Sequence, residues 1–466
     1  MPVIELEAAP SSALVQVRHI VRGRTIEGAD CEYRSRDLDA AFFTPKLELD
    51  ELVWPRGEAG PAFECPLGEV IDFMLETGRR LDFDSNPFVR EASSLAGRVN
   101  VLGAGALEEQ YRSLGRFFTR DGMEEEVQNA LGSLEDGWRP VKRRDGSTMY
   151  VRPYPSRMLH VMAGNAPGLA ASSILRAALS RGVHLLKAPS NDLFTAQAVL
   201  QTMAGIDPGH PLVKSFSAAY WRGGDTQVES ALYRPQFFDK IMAWGGGDSI
   251  AHVQKYLSPG LELVAMDPKT SISILGRECF QSAETIRAAA TAAAADVGGQ
   301  EGCANSRVHF VEASVEQADL YCAALLVQLN AEADRARGGR VTPPDVRQEV
   351  EMLRLLEPVY RVWGDYSGRG LVVRSEEPVD FDPIARTVNV VLVKRMTDAA
   401  RYVNVATQTV GVAPSERRAE VRDAVCASGA QRTVTLGRVA ASPSWGRPHD
   451  GFYPLWRMVR WVVDQA

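Results

Sequence analysis

The residues best suited to chemistry sit in five short turns. In GGQEGCANSRVHFVEA, Gly298 to Ala313, Cys303 follows a glycine pair between an alanine-rich helical run and a β-branched strand run. Glycines there let another backbone or a flat ring come close, so the thiol can be shielded from water and still be reached. A cysteine attacks as thiolate, and a neighbouring cation, helix end or base must favour that form. Arg307 is near in sequence, whereas Glu301 opposes ionisation unless it points away. Read by itself, Cys303 fits a small buried hydrophobe in a tight turn at least as well.

The second turn, AGNAPG, places Asn165 at the end of an apolar run. A neutral amide there suits a developing oxyanion, or it caps the following helix with Pro167 near the first helical position. In KAPSND, Lys187 ends the next apolar run and can reach a ribose or phosphate, or it is simply a solvated strand end. An acidic residue after it would prefer free ribose hydroxyls, but Pro189, Ser190 and Asn191 follow. A neutral Ser190 beside Lys187 leaves room for a 2′-phosphate, so NADPH is expected, with NADH as the alternative. AWGGGDS offers Trp244, Gly245 and Gly246 at a glycine turn of the kind that brings amides to a diphosphate. It is not a GxGxxG, and Asp248 can be an ordinary helix cap. GRPHDGF carries His449 and Asp450; His449 is the candidate on the substrate side, although a structured loop explains the pair as well.

These turns need elements to hold them. MLHVM, LAASSILRAALSRG and VHLLK read as strand, helix and strand in about 30 residues, a βαβ unit. Asp192 is a candidate cap for DLFTAQAVLQTM, and FFDKIMAW, LELVAM and SISIL are further strand-like runs. Alternation of this kind predicts a mostly parallel, doubly wound sheet. A second unit begins near Gly276 with the helical TIRAAATAAAA, the strand RVHFVEA, a helix over 315–333 and the strand VNVVLVK; residues 334–346 read as an exposed loop. The stretch to about residue 140 reads as largely helical and carries no motif. The expected division is therefore a Rossmann-type cofactor domain over 1–275, an α/β catalytic domain over 276–440, and a segment 441–466 that packs back near the active site.

Composition narrows the class. The 466 residues carry a net charge of −7, and the basic residues are mostly scattered arginines, so no nucleic-acid footprint appears. No apolar run reaches the roughly 18 residues of a membrane helix, and no signal peptide is evident; a cytoplasmic protein is expected. Six dispersed cysteines without a CxxC pair, and no histidine at ligand spacing, argue against zinc and against a disulfide framework.

Order and spacing join the turns. AGNAPG, LLKAPSND, Tyr220 with Trp221, AWGGGDSI, DPKTSISIL, QEGCANSRVHFVE, QTVGVA and GRPHDG resemble the acyl-CoA reductase family typified by LuxC, within the aldehyde dehydrogenase superfamily. The resemblance covers roughly residues 135–466. It implies an aldehyde dehydrogenase-like fold, with Cys303 as nucleophile and Asn165 with the Cys303 amide as oxyanion hole. Lys187 and Ser190 would meet the adenosine ribose, and Trp244 to Gly246 would lie beside the diphosphate. Hydrolytic aldehyde dehydrogenases carry a water-activating glutamate where this chain, aligned on Lys269, has Ala265; the nearest acid is Glu262. The superfamily's glutamate for the nicotinamide ribose is also missing, with only Glu376 and Glu377 upstream of PIARTVNVV. Arg307 comes one residue sooner after the cysteine than in the hydrolytic enzymes. A thioester that water cannot reach efficiently is kept for hydride or a thiol. The expected activity is NADPH-dependent reduction of an acyl thioester to an aldehyde, with aldehyde oxidation to acid or acyl-CoA as the alternative. The expected partners are acyl-CoA, an acyl carrier or an acyl-transfer protein, and further copies of the chain; no metal is expected.

Overall fold

The strand Arg157–Val161 is buried at all five positions, as are Val183–Lys187 and Lys240–Trp244. Strands covered on both faces read as unbroken apolar runs and belong in a parallel sheet under helices. In the computed structural model, which describes residues 14–134, 136–300, 302–337, 340–440 and 445–465, they form the centre of a seven-stranded sheet. From one edge it runs Glu262–Met266, Lys240–Trp244, Arg157–Val161, Val183–Lys187 and Phe216–Ala219, all parallel. Strand order reverses at Arg157–Val161, whose neighbours are the next strand in sequence and a much later one. Such a switch point opens a crevice at the carboxyl ends. AGNAPG and WGGGDS leave from these two adjacent strands, on either side of that crevice.

The first 140 residues are not simply helical. Two antiparallel strands, His19–Val21 and Arg24–Ile26, extend this sheet, and Val15–Gln16, Ala41–Thr44 and Cys31–Arg34 form a small sheet of their own. Runs of three or four residues are too short to show a period, so the strands stay hidden in the sequence. Helices occupy the rest, including Leu67–Arg80 and Arg120–Leu131.

The second seven-stranded sheet is ordered Arg361–Gly364, Leu371–Ser375, Thr387–Leu392, Ser306–Val311, Thr270–Leu275, Thr407–Ala413 and Arg432–Thr435. Thr270–Leu275 pairs in parallel with Ser306–Val311 and Thr407–Ala413. The expected boundary at 275 therefore falls too late: the chain changes sheets between Met266 and Thr270. The alanine-rich helix Ala283–Val297 and the long Val315–Arg335 helix pack on this sheet through Ala290, Ala293, Leu325 and Leu329. The expected loop over 334–346 is shorter than predicted, because Pro344 opens a helix to Arg354 at its N1 position. A three-stranded arm, Val459–Asp464, Thr148–Pro155 and Arg139–Lys142, joins the chain's end to the segment before the first sheet.

Three candidate caps sit elsewhere. The helix after KAPSND starts at Thr195, and Asp192 accepts from the Thr195 amide and hydroxyl at 3.3 and 2.5 Å without being the cap residue. Ala166, not Asn165, caps Pro167–Ser180, and Gly246 caps Gly247–Gln254, leaving Asp248 in the first turn.

Candidate active site

Cys303 sits in a turn just before the amino end of Ser306–Val311. The Gly302 amide donates to Asn305 Oδ1 at 2.9 Å, and the Asn305 amide returns to the Gly302 carbonyl at 3.1 Å. Ser271 Oγ, from the adjacent strand, donates to the Cys303 carbonyl at 2.8 Å. Beneath, buried Gln300 in a left-handed conformation (φ +57°) donates to the Thr387 carbonyl at 2.6 Å. The turn is thus pinned to two neighbouring strands while the thiol stays half-buried.

What faces the sulfur comes from elsewhere in the chain. Gln408, buried on Thr407–Ala413, places Nε2 3.0 Å from Cys303 Sγ. The same nitrogen lies 3.2 Å from Asp450 Oδ1 and 3.4 Å from His449 Nε2. The His449 ring meets Trp244 edge-on at 5.6 Å between centroids. The expected nucleophile, the expected glycine-turn tryptophan and the C-terminal HD pair therefore share one cleft. QTVGVA stands among the family landmarks, but a glutamine inside a strand run has no spacing signature that would assign Gln408 to the sulfur.

The electrostatics favour neutral forms. Burial, reinforced by the Asp450 carboxylate, pushes the Cys303 thiol up, and the Gln408 hydrogen bond opposes that shift. Asp450 is raised by burial, against the Gln408 bond and Lys269. Burial, together with Arg176, Arg447 and Arg432, brings His449 down to about 4, so its imidazole is uncharged at neutral pH. Arg307, the cation nearest in sequence, instead pairs with Asp382, and Glu301 lies outside the described residues.

The C-terminal turn is held from below. Arg176 on Pro167–Ser180 forms a buried ion pair with Glu126 at 2.9 Å and stacks over Trp445 at 4.8 Å. Glu126 also accepts from the Gly446 amide at 2.9 Å, and Asn129 donates to the Gly446 carbonyl at 2.7 Å. Gly446 has φ +65°, and a Cβ there would lie 2.3 Å from Glu125, so only glycine fits.

Across the crevice, AGNAPG and KAPSND are locked together. A Cβ on Gly164 would lie 2.0 Å from Asn191 Oδ1, and Asn100 donates to the carbonyls of both Gly164 and Asn191, at 3.2 and 2.9 Å. Asn165 follows at the carboxyl end of Arg157–Val161, partly accessible. Lys187 ends its strand buried, with its ammonium over Trp221 at 5.4 Å and Tyr220 at 5.9 Å. It has no hydrogen-bond partner among the described residues, and burial, partly offset by Glu229, lowers it to about 8. Ser190 Oγ accepts from the Arg36 amide at 3.1 Å, which ties it to the N-terminal strands. Over Gly246 and Gly247 there is open space, and the buried Trp244 Nε1 has no partner. A buried unpaired ammonium, an open helix start and an orphaned indole donor fit a dinucleotide.

Two of the acids weighed for water and ribose are engaged elsewhere. Glu262 opens its strand at the edge opposite the crevice, paired with Lys240 at 3.0 Å and Arg457 at 2.5 Å. Glu377 pairs with Arg401 at 3.0 Å on the surface. Cys65, Glu69 and His210 come together with their ligand atoms within 4.8 Å, a grouping the sequence spacing hid. His210 Nδ1 accepts from the Leu212 amide at 3.2 Å, which leaves the proton on Nε2 facing Glu69; that tautomer suits a hydrogen-bonded cluster rather than a metal.

Two sheets that meet at a cysteine cleft define an aldehyde dehydrogenase fold. The structure superposes on lactaldehyde dehydrogenase from Escherichia coli with a TM-score of 0.73 at 12% identity, covering 97% of this chain and 100% of that one. NADP-dependent glyceraldehyde-3-phosphate dehydrogenase from Bacillus halodurans, solved with NADP, gives 0.69 at 12% identity, covering 96% and 98%. Within that fold, residues 63–461 match the model for acyl-CoA reductase (LuxC), and the chain belongs to that family of aldehyde-forming oxidoreductases. Long-chain acyl-protein thioester reductase of Photorhabdus laumondii is 28% identical over 425 residues, 86% of this chain and 82% of that protein. The enzyme of the same description from Vibrio harveyi is 26% identical over 415 residues, covering 86% and 83%. No helix among the described residues is long and apolar enough to cross a membrane.

Proposed function

We propose that the chain reduces an activated acyl thioester to an aldehyde with NADPH, by way of an acyl group carried on Cys303. The observation that supports this most directly is the Gln408 amide 3.0 Å from Cys303 Sγ, in a cleft bordered by Trp244 and His449. Cys303 attacks the acyl carbon. Asn165 and the Cys303 amide receive the oxyanion, and His449 borders the acyl side. Lys187 and Ser190 hold the adenosine ribose, with the unpaired ammonium available to a 2′-phosphate, and Trp244, Gly245 and Gly246 flank the diphosphate. When bound, the dinucleotide supplies the hydride. The residues up to Met266 serve the cofactor, those from Thr270 carry the thiol, and the 445–452 turn closes the cleft.

Glu262, held in two ion pairs, and Ala265 in place of a catalytic glutamate weigh against the hydrolytic alternative. The acyl donor is CoA or an acyl-carrying protein, as the names of the relatives suggest. Six free cysteines are consistent with a cytoplasmic setting. Exposed Trp138, Val141, Tyr150 and Val463 on the three-stranded arm fit self-association.

Acyl-CoA mixed with protein in the absence of NADPH tests the reading. One acyl mass is expected on the peptide holding Cys303, and none on Cys303→Ala. Wild-type protein left unlabelled by a panel of chain lengths would overturn it.

A further inference from the structure

Cys303 Sγ and Asp450 Oδ1 share one donor, Gln408 Nε2, at 3.0 and 3.2 Å. A primary amide has two hydrogens and can serve both. The Asp450 carboxylate fixes which end of the amide faces this cluster, and His449 Nε2 lies 3.4 Å from the same nitrogen. Asp450 is therefore held beside the thiol, in a left-handed conformation (φ +50°), with a side chain only 5% exposed. No carboxylate stands at the glutamate position of the hydrolytic enzymes, yet the fold delivers one to the sulfur from the far end of the chain.

We propose that Asp450 is the acid–base group of the acyl-transfer step, taking the Cys303 proton as the sulfur attacks and returning it to the departing group of the acyl donor. This rests on the reading that Cys303 is acylated. The sulfur lone pair forms the bond to the acyl carbon, and the Sγ proton passes to Oδ1 through one bridging water. The bond from the acyl carbon to the donor's sulfur or oxygen breaks, its electron pair stays with that atom, and the proton leaves Asp450 to neutralise it. Acyl donor and thiol thereby become acyl-cysteine and free carrier, with no net proton change.

His449 is the weaker choice for this task. Burial and the arginines at 176, 432 and 447 disfavour its cation, and they outweigh Glu126 and the Asp450 carboxylate 3.8 Å from Nε2. Around Asp450 stand Cys303, Gln408 and His449, together with Lys269 and Asp267 from the turn between the two sheets. A raised carboxyl beside a raised thiol brings their proton affinities closer, which suits transfer between them.

Asp450→Asn separates this role from simpler ones. Two rates at Cys303 are measured: alkylation by iodoacetamide across pH, and acylation by acyl-CoA without NADPH. Removing the charge that opposes the thiolate should speed alkylation several-fold at neutral pH. Acylation should slow about a hundredfold or more, the usual contribution of a positioned acid–base group. Asp450→Glu should recover most of the acylation. Faster or unchanged acylation in Asp450→Asn would make Asp450 only an electrostatic neighbour, and a parallel fall in both rates would make it a packing residue; either overturns the proposal. A wild-type thiol that alkylates but accepts no acyl group would overturn the underlying reading and this step with it.

Discussion

At the residue scale, the site turns on how a desolvated thiol is given enough thiolate character. Among the described residues no cation contacts Cys303: Arg307 is paired with Asp382, and Arg432, lowered to about 10 by burial, spends its hydrogen bonds on Thr409 and the Val439 carbonyl. The Gln408 amide is the side-chain donor to the sulfur, beside the backbone amides of Cys303 and Ala304. A hydrogen bond to a charged acceptor contributes about 1.5–3 kcal/mol, and one pH unit corresponds to about 1.4 kcal/mol. Gln408→Ala should therefore move the alkylation profile of Cys303 up by about one to two pH units. The sign follows from the donor stabilising the thiolate: without it the thiol holds its proton to higher pH. An unchanged or lowered midpoint would show that Gln408 does not support the anion. Asp450→Asn shifts the same profile in the opposite direction, so the pair calibrates the site.

At the scale of elements, the cofactor reading depends on two strand ends and the loops they release. Lys187 and Val161 stand in register on neighbouring strands, so their loops leave the sheet side by side, and Asn100 pins both. In the proposed function Ser190 meets the adenosine ribose, so its side chain should select the dinucleotide. Ser190→Glu should weaken NADPH binding at least about tenfold and leave NADH binding within a few-fold, because a carboxylate repels a 2′-phosphate and accepts from free ribose hydroxyls. Fluorescence titration of the two nucleotides measures this directly. An unchanged NADPH to NADH ratio would place the adenosine ribose away from Ser190.

At the scale of the molecule, the cleft is assembled from both sheets and closed by the chain's last segment. Helices at Arg120–Leu131 and Pro167–Ser180 hold the 445–452 turn through Glu126, Asn129 and Arg176. Glu126→Ala would leave the Arg176 guanidinium buried and unpaired and free the Gly446 amide, a loss of about 3–5 kcal/mol. A thermal midpoint lowered by several degrees is expected, together with faster proteolysis within 445–452 and reduced acylation of Cys303. Unchanged stability would mean that the turn is held by Trp445 packing alone.

Much of this molecule is legible in order and period. The fully buried strands Arg157–Val161, Val183–Lys187 and Lys240–Trp244, and the helices between them, are visible because apolar runs and helical spacing report burial directly. The landmarks around Cys303 identify the family because their sequence order is that of the fold. Other features were not legible. The strands at His19–Val21 and Arg24–Ile26 are too short to carry a period, and the boundary near residue 268 lies between two similar apolar runs. The same holds for the chemistry of the sulfur. Sequence alone determined that a cysteine stands at the start of a strand in a parallel sheet, with no acid at the expected place. That Gln408 faces it, that Arg307 does not, and that Asp450 approaches from the C-terminus were decided only by tertiary structure. Proton affinity is set by whatever lies within a few ångströms, and in a doubly wound fold those neighbours come from strands and turns distant in sequence.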